Sequence, residues 1–346
     1  MSMKVYFADE QLRHEPRTFL VSGAQKPSPE QSERARRLLA GAEQAGLAPE
    51  RPADHGLGPI ARVHTPEYID FLSRIYERWQ RIEGASEEVI PNIHPDRRDG
   101  SYPSSAVGQA GYHQADTACP IGPHSWDSIY WSAQSAAEAA VAVRDGMAGW
   151  TYALCRPPGH HAFKDLAGGF CFVNNCGVAA GVLREACERV AILDVDLHAG
   201  NGTQGCFYDR ADVLTVSIHA DPVRYYPFFW GFADERGEGP GLGYNLNLPI
   251  PRGTGDEDYM PALEDAIRRI EAFAPDALVV ALGLDAYVGD PFAGLAITTD
   301  GFGRIAERIG RMRLPTVLVQ EGGYLSDDLG PNLTRFLTGF GNGHGA

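Results

Sequence analysis

Short apolar runs recur along the chain, and patterns with helical spacing lie between them. The runs are MKVYFAD at the start, then WTYALC, RVAILDVD, VLTVSIH, ALVVALG and TVLVQ. They are nearly continuous in apolar residues rather than alternating, which is the signature of parallel strands covered on both faces. The intervening segments read as helices: SERARRLLAGAEQAG closed by Gly46, TPEYIDFLSRIYERWQRI, WDSIYWSAQSAAEAAVAVRDG, and stretches near 175–187, 257–273 and 300–312. Strand and helix in alternation predict an α/β fold. No repeat and no break in composition marks a second domain, so residues 1–346 are read as one domain.

Two segments fall outside this pattern. Residues 84–125 are rich in Gly, Pro, Ser, Asp and His and are too long for a passive connection. They are either a disordered loop or an insertion at the rim of a site and at an oligomer contact; Trp79, Tyr102, Tyr112 and Trp126, in or beside them, favour order. The tail GFGNGHGA, 339–346, reads as frayed, with His344 inert.

A chain of 346 residues can bury a core without disulfides. Its six cysteines form no CxxC pair and several lie in apolar runs, so they read as reduced thiols in a cytoplasmic protein. MSMKVYFADE is no signal peptide, and no stretch reaches the ~18 apolar residues of a membrane span. A net charge of −15 argues against nucleic acid and anionic membrane as partners and is compatible with a cationic substrate.

The polar clusters that follow the strands carry the chemistry: RPPGHH, LHAGNG, LDAYVGDP and EGGY. Parallel sheets bind ligands beyond the carboxyl ends of their strands, so these clusters are expected to converge. Asp196 and His198, two residues apart, can point to one side, and Asp285 from another strand can close the set. Two carboxylates and one imidazole suit a catalytic zinc with an open position, and equally Fe(II), Mn or Co. His160 and His161 supply two imidazoles for proton transfer, and Asp194 can orient one of them. Gly322 and Gly323 allow a sharp turn that presents the phenol of Tyr324 to a developing oxyanion.

RPPGHHA, GGFCFVNN, ILDVDLHAGNGTQ, SIH, LGLDA and EGGY, in this order, resemble the histone deacetylase and acetylpolyamine amidohydrolase superfamily from about residue 4 to about residue 338; HTPEYIDFL matches too. The long 84–125 segment is most similar to that of bacterial acetylpolyamine amidohydrolases. The resemblance implies an arginase-like, three-layer fold with a central eight-stranded parallel sheet. It implies zinc on Asp196, His198 and Asp285, His161 as general base, His160 bound to Asp194, and Tyr324 as oxyanion donor. Asn201 stands where many relatives carry a second aspartate, and an uncharged partner raises the basicity of His161 less. Ala199 replaces a histidine that is no metal ligand in the family.

The resemblance also implies a substrate tunnel walled by Gly169, Phe170 and Tyr226; the apolar side chains of Leu295 and Pro291, after the same strand as Asp285, are further candidates to line the pocket. It implies a structural potassium ion on Asp194, Ser217 and the main-chain carbonyls of Asp196, His198 and Ile218. The expected activity is hydrolysis of small N-acetylated amines such as acetylpolyamines. The alternatives are an acetyl-lysine protein or peptide deacetylase and an amidase for another small N-acyl substrate. The insertion implies a homodimer, and its acids Glu87, Glu88, Asp96, Asp99 and Asp116 are candidates to meet a distal ammonium. Val107 departs from the polyamine pattern, where a glutamate is expected.

Overall fold

The computed structural model describes residues 3–345. The chain forms strands β1 (Lys4–Tyr6), β2 (Thr18–Val21), β3 (Ala24–Pro27), β4 (Pro49–Glu50), β5 (Trp150–Ala153), β6 (Val190–Asp194), β7 (Val213–Ala220), β8 (Asn245–Ile250), β9 (Ala277–Leu282) and β10 (Thr316–Gln320). Its helices are α1 (Ser32–Gln44), α2 (Gly58–Ala61), α3 (Pro66–Trp79), α4 (Ala106–His113), α5 (Ser125–Arg144), α6 (Asn175–Leu183), α7 (Asn201–Phe207), α8 (Asp256–Phe273), α9 (Thr299–Gly310) and α10 (Leu329–His344). Eight strands make one sheet in the order β4-β1-β5-β10-β9-β6-β7-β8, with every neighbouring pair parallel. The expected eight-stranded parallel sheet is therefore present.

Because side chains alternate across a strand, each apolar run feeds two cores at once. Val190, Ile192, Val279, Ala281, Val317 and Val319 point to the face covered by α5 and α6. Ala191, Leu193, Leu278, Val280, Leu282 and Leu318 point to the opposite face, covered by α1, α8, α9 and α10. This double burial is the reason the runs are continuous in apolar residues.

The sequence pattern missed two sheet strands and one hairpin. β4 is only two residues long, below any periodic signal. β8 reads NLNLPI, and its Asn245 and Asn247 are buried against Thr215, Gln204 and backbone carbonyls of the loop that follows β7. The exposed hairpin β2–β3 turns through Ser22 and Gly23, both at positive φ.

The tail is the main correction. Residues 329–344 are helical, not frayed, and the final Ala346 lies outside the described residues. The glycines that disfavour a helix here permit close packing. A Cβ at Gly339 would lie 2.3 Å from the Gly303 carbonyl oxygen, and one at Gly343 2.1 Å from that of Glu307. Phe340 is fully buried against Trp150, and His344 Nε2 donates to the Leu314 carbonyl at 3.1 Å.

The segment 84–125 is ordered. Val89 and Ile121 exchange backbone hydrogen bonds, α4 lies within it, and Arg98 pairs with Asp165 at 2.9 Å. Glu87 is exposed, but Glu88 is buried and accepts from the Arg17 amide, so it does not lie on the solvated surface.

Beneath the sheet ends sits a buried ion cluster. Glu30 Oε1 accepts from Arg34 at 2.6 Å and from Arg156 at 3.0 Å, and all three side chains are sealed from solvent. Burial pushes the Glu30 carboxyl up, but Arg156 and Arg34 together hold it below its ordinary value. Removing one partner of a buried ion pair leaves an uncompensated charge. Glu30→Gln is expected to destabilise the fold by about 3 kcal/mol, read as a lower urea midpoint at unchanged slope. A wild-type midpoint would show that the two guanidiniums are held by their carbonyl contacts alone.

Candidate functional site

The turn after β5 carries His160 and His161, the turn after β6 Asp196 and His198, the turn after β9 Asp285, and the turn after β10 Tyr324. These strands are near neighbours in the sheet, so the four turns meet in one cavity of about 390 Å³ lined by all six residues.

At its floor, one ligand atom each from Asp196, His198 and Asp285 lies within 4.8 Å of the others. His198 Nδ1 is 3.2 Å from Asp196 Oδ1 and 3.1 Å from Asp285 Oδ2. The carboxylates are fixed by backbone donors: His198 N to Asp196 Oδ1 at 2.9 Å, Gly322 N to Asp196 Oδ2 at 2.8 Å, and Leu197 N to Asp285 Oδ1 at 3.0 Å. Burial disfavours a charged imidazole, yet the hydrogen bonds with Asp196 and Asp285 raise His198 to about 9. The floor thus demands positive charge. Two glycines leave room for it: a Cβ on Gly283 would lie 2.1 Å from Asp196 Oδ2, and one on Gly322 2.3 Å from Asp285 Oδ2. A hard or borderline divalent cation fits this donor set.

The adjacent histidines diverge. Their rings lie 3.9 Å apart. His160 Nδ1 donates to Asp194 Oδ2 at 2.9 Å, and His161 Nδ1 donates to the amide oxygen of Asn201 at 2.7 Å. Burial opposes protonation of His160, but Asp196 and Asp194 raise it well above its ordinary value. Burial, the neighbouring His160 and His198 all push His161 well below. His161 therefore presents a neutral imidazole with a free Nε2, the form that can accept a proton.

The walls are aromatic. Phe170 and Tyr324 rings lie 5.9 Å apart, and Tyr226 meets His161 edge-on at 4.8 Å. Phe170 sits at φ +70, a conformation rare for a bulky residue, next to Gly169 at φ +53. A Cβ on Gly169 would strike His161 at 2.5 Å and Tyr226 at 2.8 Å. Of the candidate acids, Asp116 lines the cavity. It accepts from Ala118 N at 2.8 Å, Gly169 N at 3.0 Å and the Tyr226 hydroxyl at 2.9 Å. Leu295 does not line the cavity; it is buried in the core on the α8–α9 side of the sheet, and Phe292 takes the wall position instead.

Of the potassium candidates, Asp194, Ser217 and Ile218 are buried on the strands behind the floor turns. Asp194 and Ser217 are register partners on β6 and β7, and Ile218 follows on the same strand. Ser217 Oγ also meets His219 Nδ1 at 2.7 Å.

Sequence reasoning missed several neighbours. Asp290 accepts the Tyr324 amide at 2.9 Å and the Phe292 amide at 2.9 Å, and burial and the nearby Asp285 push its carboxyl up to about 7. Tyr225 stacks on His198 at 5.0 Å and donates to the Phe292 carbonyl. Phe19 from the hairpin meets Phe170 at 5.5 Å. The GDP turn at 289–291 and the Tyr doublet at 225–226 were the only local signals for them.

Residues 28–340 match the histone deacetylase domain family. The chain is 49% identical over 340 residues to an acetylpolyamine amidohydrolase of Burkholderia pseudomallei, covering 98% of this chain and 99% of that one. It is 44% identical to acetylpolyamine amidohydrolase 1 of Pseudomonas aeruginosa, covering 98% of each. A crystal structure of acetylpolyamine aminohydrolase from Burkholderia pseudomallei superimposes with a TM-score of 0.96 at 49% identity, covering 99% of both chains.

Gly322 is not in the left-handed region, so alanine there carries no backbone penalty. Its methyl group would nevertheless fill the space between Asp196 and Asp285. Gly322→Ala is expected to abolish binding of a stoichiometric divalent ion, measured by elemental analysis after dialysis, while the circular dichroism spectrum stays that of the wild type. Full ion content in this variant would remove the three-residue floor as the metal site.

Proposed function

This chain is a hydrolase of the histone deacetylase family, and from that premise we propose that it removes the acetyl group from small N-acetylated polyamines, releasing acetate. The observation that carries this reading is the cavity itself: a narrow aromatic passage with one carboxylate, Asp116, in its wall and the Asp196–His198–Asp285 floor at its end. The names of the full-length relatives support the same substrate class.

Asp196, His198 and Asp285 would hold a divalent ion, zinc foremost and Fe(II), Mn or Co as chemical alternatives, which would supply Lewis acidity for amide hydrolysis. The protein residues do the rest. Phe170, Tyr226 and Phe292 exclude water and align the methylene chain of the substrate. His161 Nε2 takes the proton of the attacking water, because its environment keeps that imidazole neutral. His160, held protonated against Asp194, preserves positive charge beside the growing oxyanion. Tyr324 donates its phenol proton as a hydrogen bond to that oxygen; burial first of all raises its proton affinity, so the phenol remains a donor. A histidine of the pair then returns a proton to the departing amine. Asp116 receives a distal ammonium: its carboxylate has about four acceptor sites, and three are used by the protein.

In the same reading, Asp194, Ser217 and the carbonyls of Asp196, His198 and Ile218 would hold a structural potassium ion. The 84–125 insertion contacts a second copy in a homodimer and brings Asp116 to the cavity wall. A cytoplasmic location fits the six free cysteines. Among the described residues no helix is long and apolar enough to cross a membrane.

The decisive experiment is a substrate panel on the zinc-loaded protein. Acetylputrescine and acetylspermidine are expected to be turned over well ahead of acetyl-lysine peptides; the reverse order would replace the polyamine assignment with a protein deacetylase. Tyr324→Phe is expected to lower kcat by roughly 10²–10³ with unchanged metal content, the usual loss for one oxyanion donor. Asn201→Asp places a carboxylate on His161 and raises its proton affinity. The acid limb of kcat/KM, where His161 becomes protonated, is then expected to move to higher pH; an unmoved limb would assign the base elsewhere.

A further inference from the structure

We propose that Glu321 is a positioning residue that holds the His160–His161 turn in register with Tyr324 by accepting two successive backbone amides. The inference rests on the function proposed above and assigns work to a residue that reading leaves idle. Glu321 follows β10 directly and is fully buried. Its side chain neither lines the cavity nor belongs to the three-residue floor. Instead it reaches sideways to the turn after the neighbouring strand β5. There Oε2 accepts from Gly159 N at 2.6 Å and from His160 N at 3.0 Å. Oε1 accepts from the Cys176 thiol on α6 at 3.3 Å.

The main chain of Glu321 is held as firmly. Its amide donates to the Leu282 carbonyl at 2.8 Å, and its carbonyl accepts from Arg34 at 2.8 Å. Gly322, next in sequence, donates to Asp196, and Tyr324 comes two residues later. One residue thus ties the proton acceptor, the metal floor and the oxyanion donor to a common point. The turn has no slack to find another position. A Cβ on Gly159 would lie 2.4 Å from Asn175 N and 2.6 Å from the Val173 carbonyl oxygen. Two donors converging on one oxygen make the contact directional. Burial pushes the Glu321 carboxyl up to about 7, so the pocket also tolerates an uncharged acceptor. The hydrogen bonds, rather than the charge, are what the turn requires.

Two variants of the full-length, zinc-loaded protein separate these roles, with acetylputrescine as substrate. Glu321→Gln keeps an oxygen acceptor for both amides, and kcat is expected to stay within about threefold of the wild type. Glu321→Met keeps the length and removes the acceptor. Its kcat is expected to fall roughly 30- to 100-fold, with KM within about threefold and metal content unchanged, as misplacement of reacting groups by about 1 Å costs. Wild-type kcat in Glu321→Met, a loss confined to KM, or a Glu321→Gln variant as slow as Glu321→Met would overturn the proposal.

Should Glu321→Met fail to fold, the amide resonances of Gly159 and His160 decide. Both are expected downfield in the wild type and displaced together in Glu321→Gln; resonances indifferent to that change would overturn it. A wild-type protein that turns over no acetylated polyamine would defeat the substrate assignment alone, since the resonances report the Glu321 contact without any substrate.

Discussion

Buried carboxyl groups at the tips of three neighbouring strands are the constraint from which the rest of the structure follows. Asp194 and Asp196 belong to β6 and its turn, Asp285 to the turn after β9, and Glu321 to the turn after β10; Asp196, Asp285 and Glu321 are 0% exposed. A carboxylate in such a place is tolerable only if it is paired and hydrogen-bonded. The chain meets that demand chiefly with its own backbone. Amides of Asp196, Leu197, His198, Gly159, His160 and Gly322 all turn inward to carboxylate oxygens. Turns that spend their amides this way cannot move independently, and the same bonds that make the charges bearable fix the geometry of the site.

Support for this arrangement comes from the opposite end of the sequence. Arg34 on α1 donates to the carbonyls of Glu321 and Gly323, which frame the turn bearing Tyr324, and its guanidinium lies 4.7 Å over the Tyr324 ring. Arg156, at the start of the two-histidine turn, donates to Gln11 and shares Glu30 with Arg34. One buried carboxylate therefore links the supports of two active-site turns. Helix α1 is seated by a glycine contact with α10, where a Cβ on Gly41 would lie 2.5 Å from the Gly330 carbonyl oxygen. The C-terminal helix, which carries none of the site residues, is part of the same mechanical chain.

The legibility of the sequence follows from this division. Strands buried on both faces announce themselves by composition, and six of the eight were readable from WTYALC, ALVVALG and their kin. Residues whose type is demanded by chemistry, such as the DVDLH and HH pairs, were readable for the same reason. What stayed hidden depends on contacts far apart in the chain. β8 hides because its buried asparagines are satisfied by the loop after β7. Helix α10 hides because Gly330, Gly339 and Gly343 are explained only by the backbones of α1 and α9. Leu295 was misplaced because a strand-end motif cannot say which of Pro291, Phe292 and Leu295 turns toward the cavity.

The two histidines show how far environment, rather than residue type, decides function. They are adjacent in sequence and their rings are 3.9 Å apart, yet one is driven toward the charged form and the other away from it. Their Nδ1 partners make the difference visible: a carboxylate for His160, an amide for His161. A carboxylate on both would raise the proton affinity of His161 and narrow the difference between the two imidazoles; an amide on both would leave the floor of carboxylates with less positive charge beside it. Once His160 is charged, its proximity itself depresses His161. The asymmetry is therefore self-reinforcing: the amide of Asn201 brings no negative charge to oppose the burial and the charged His160 that keep His161 the proton acceptor.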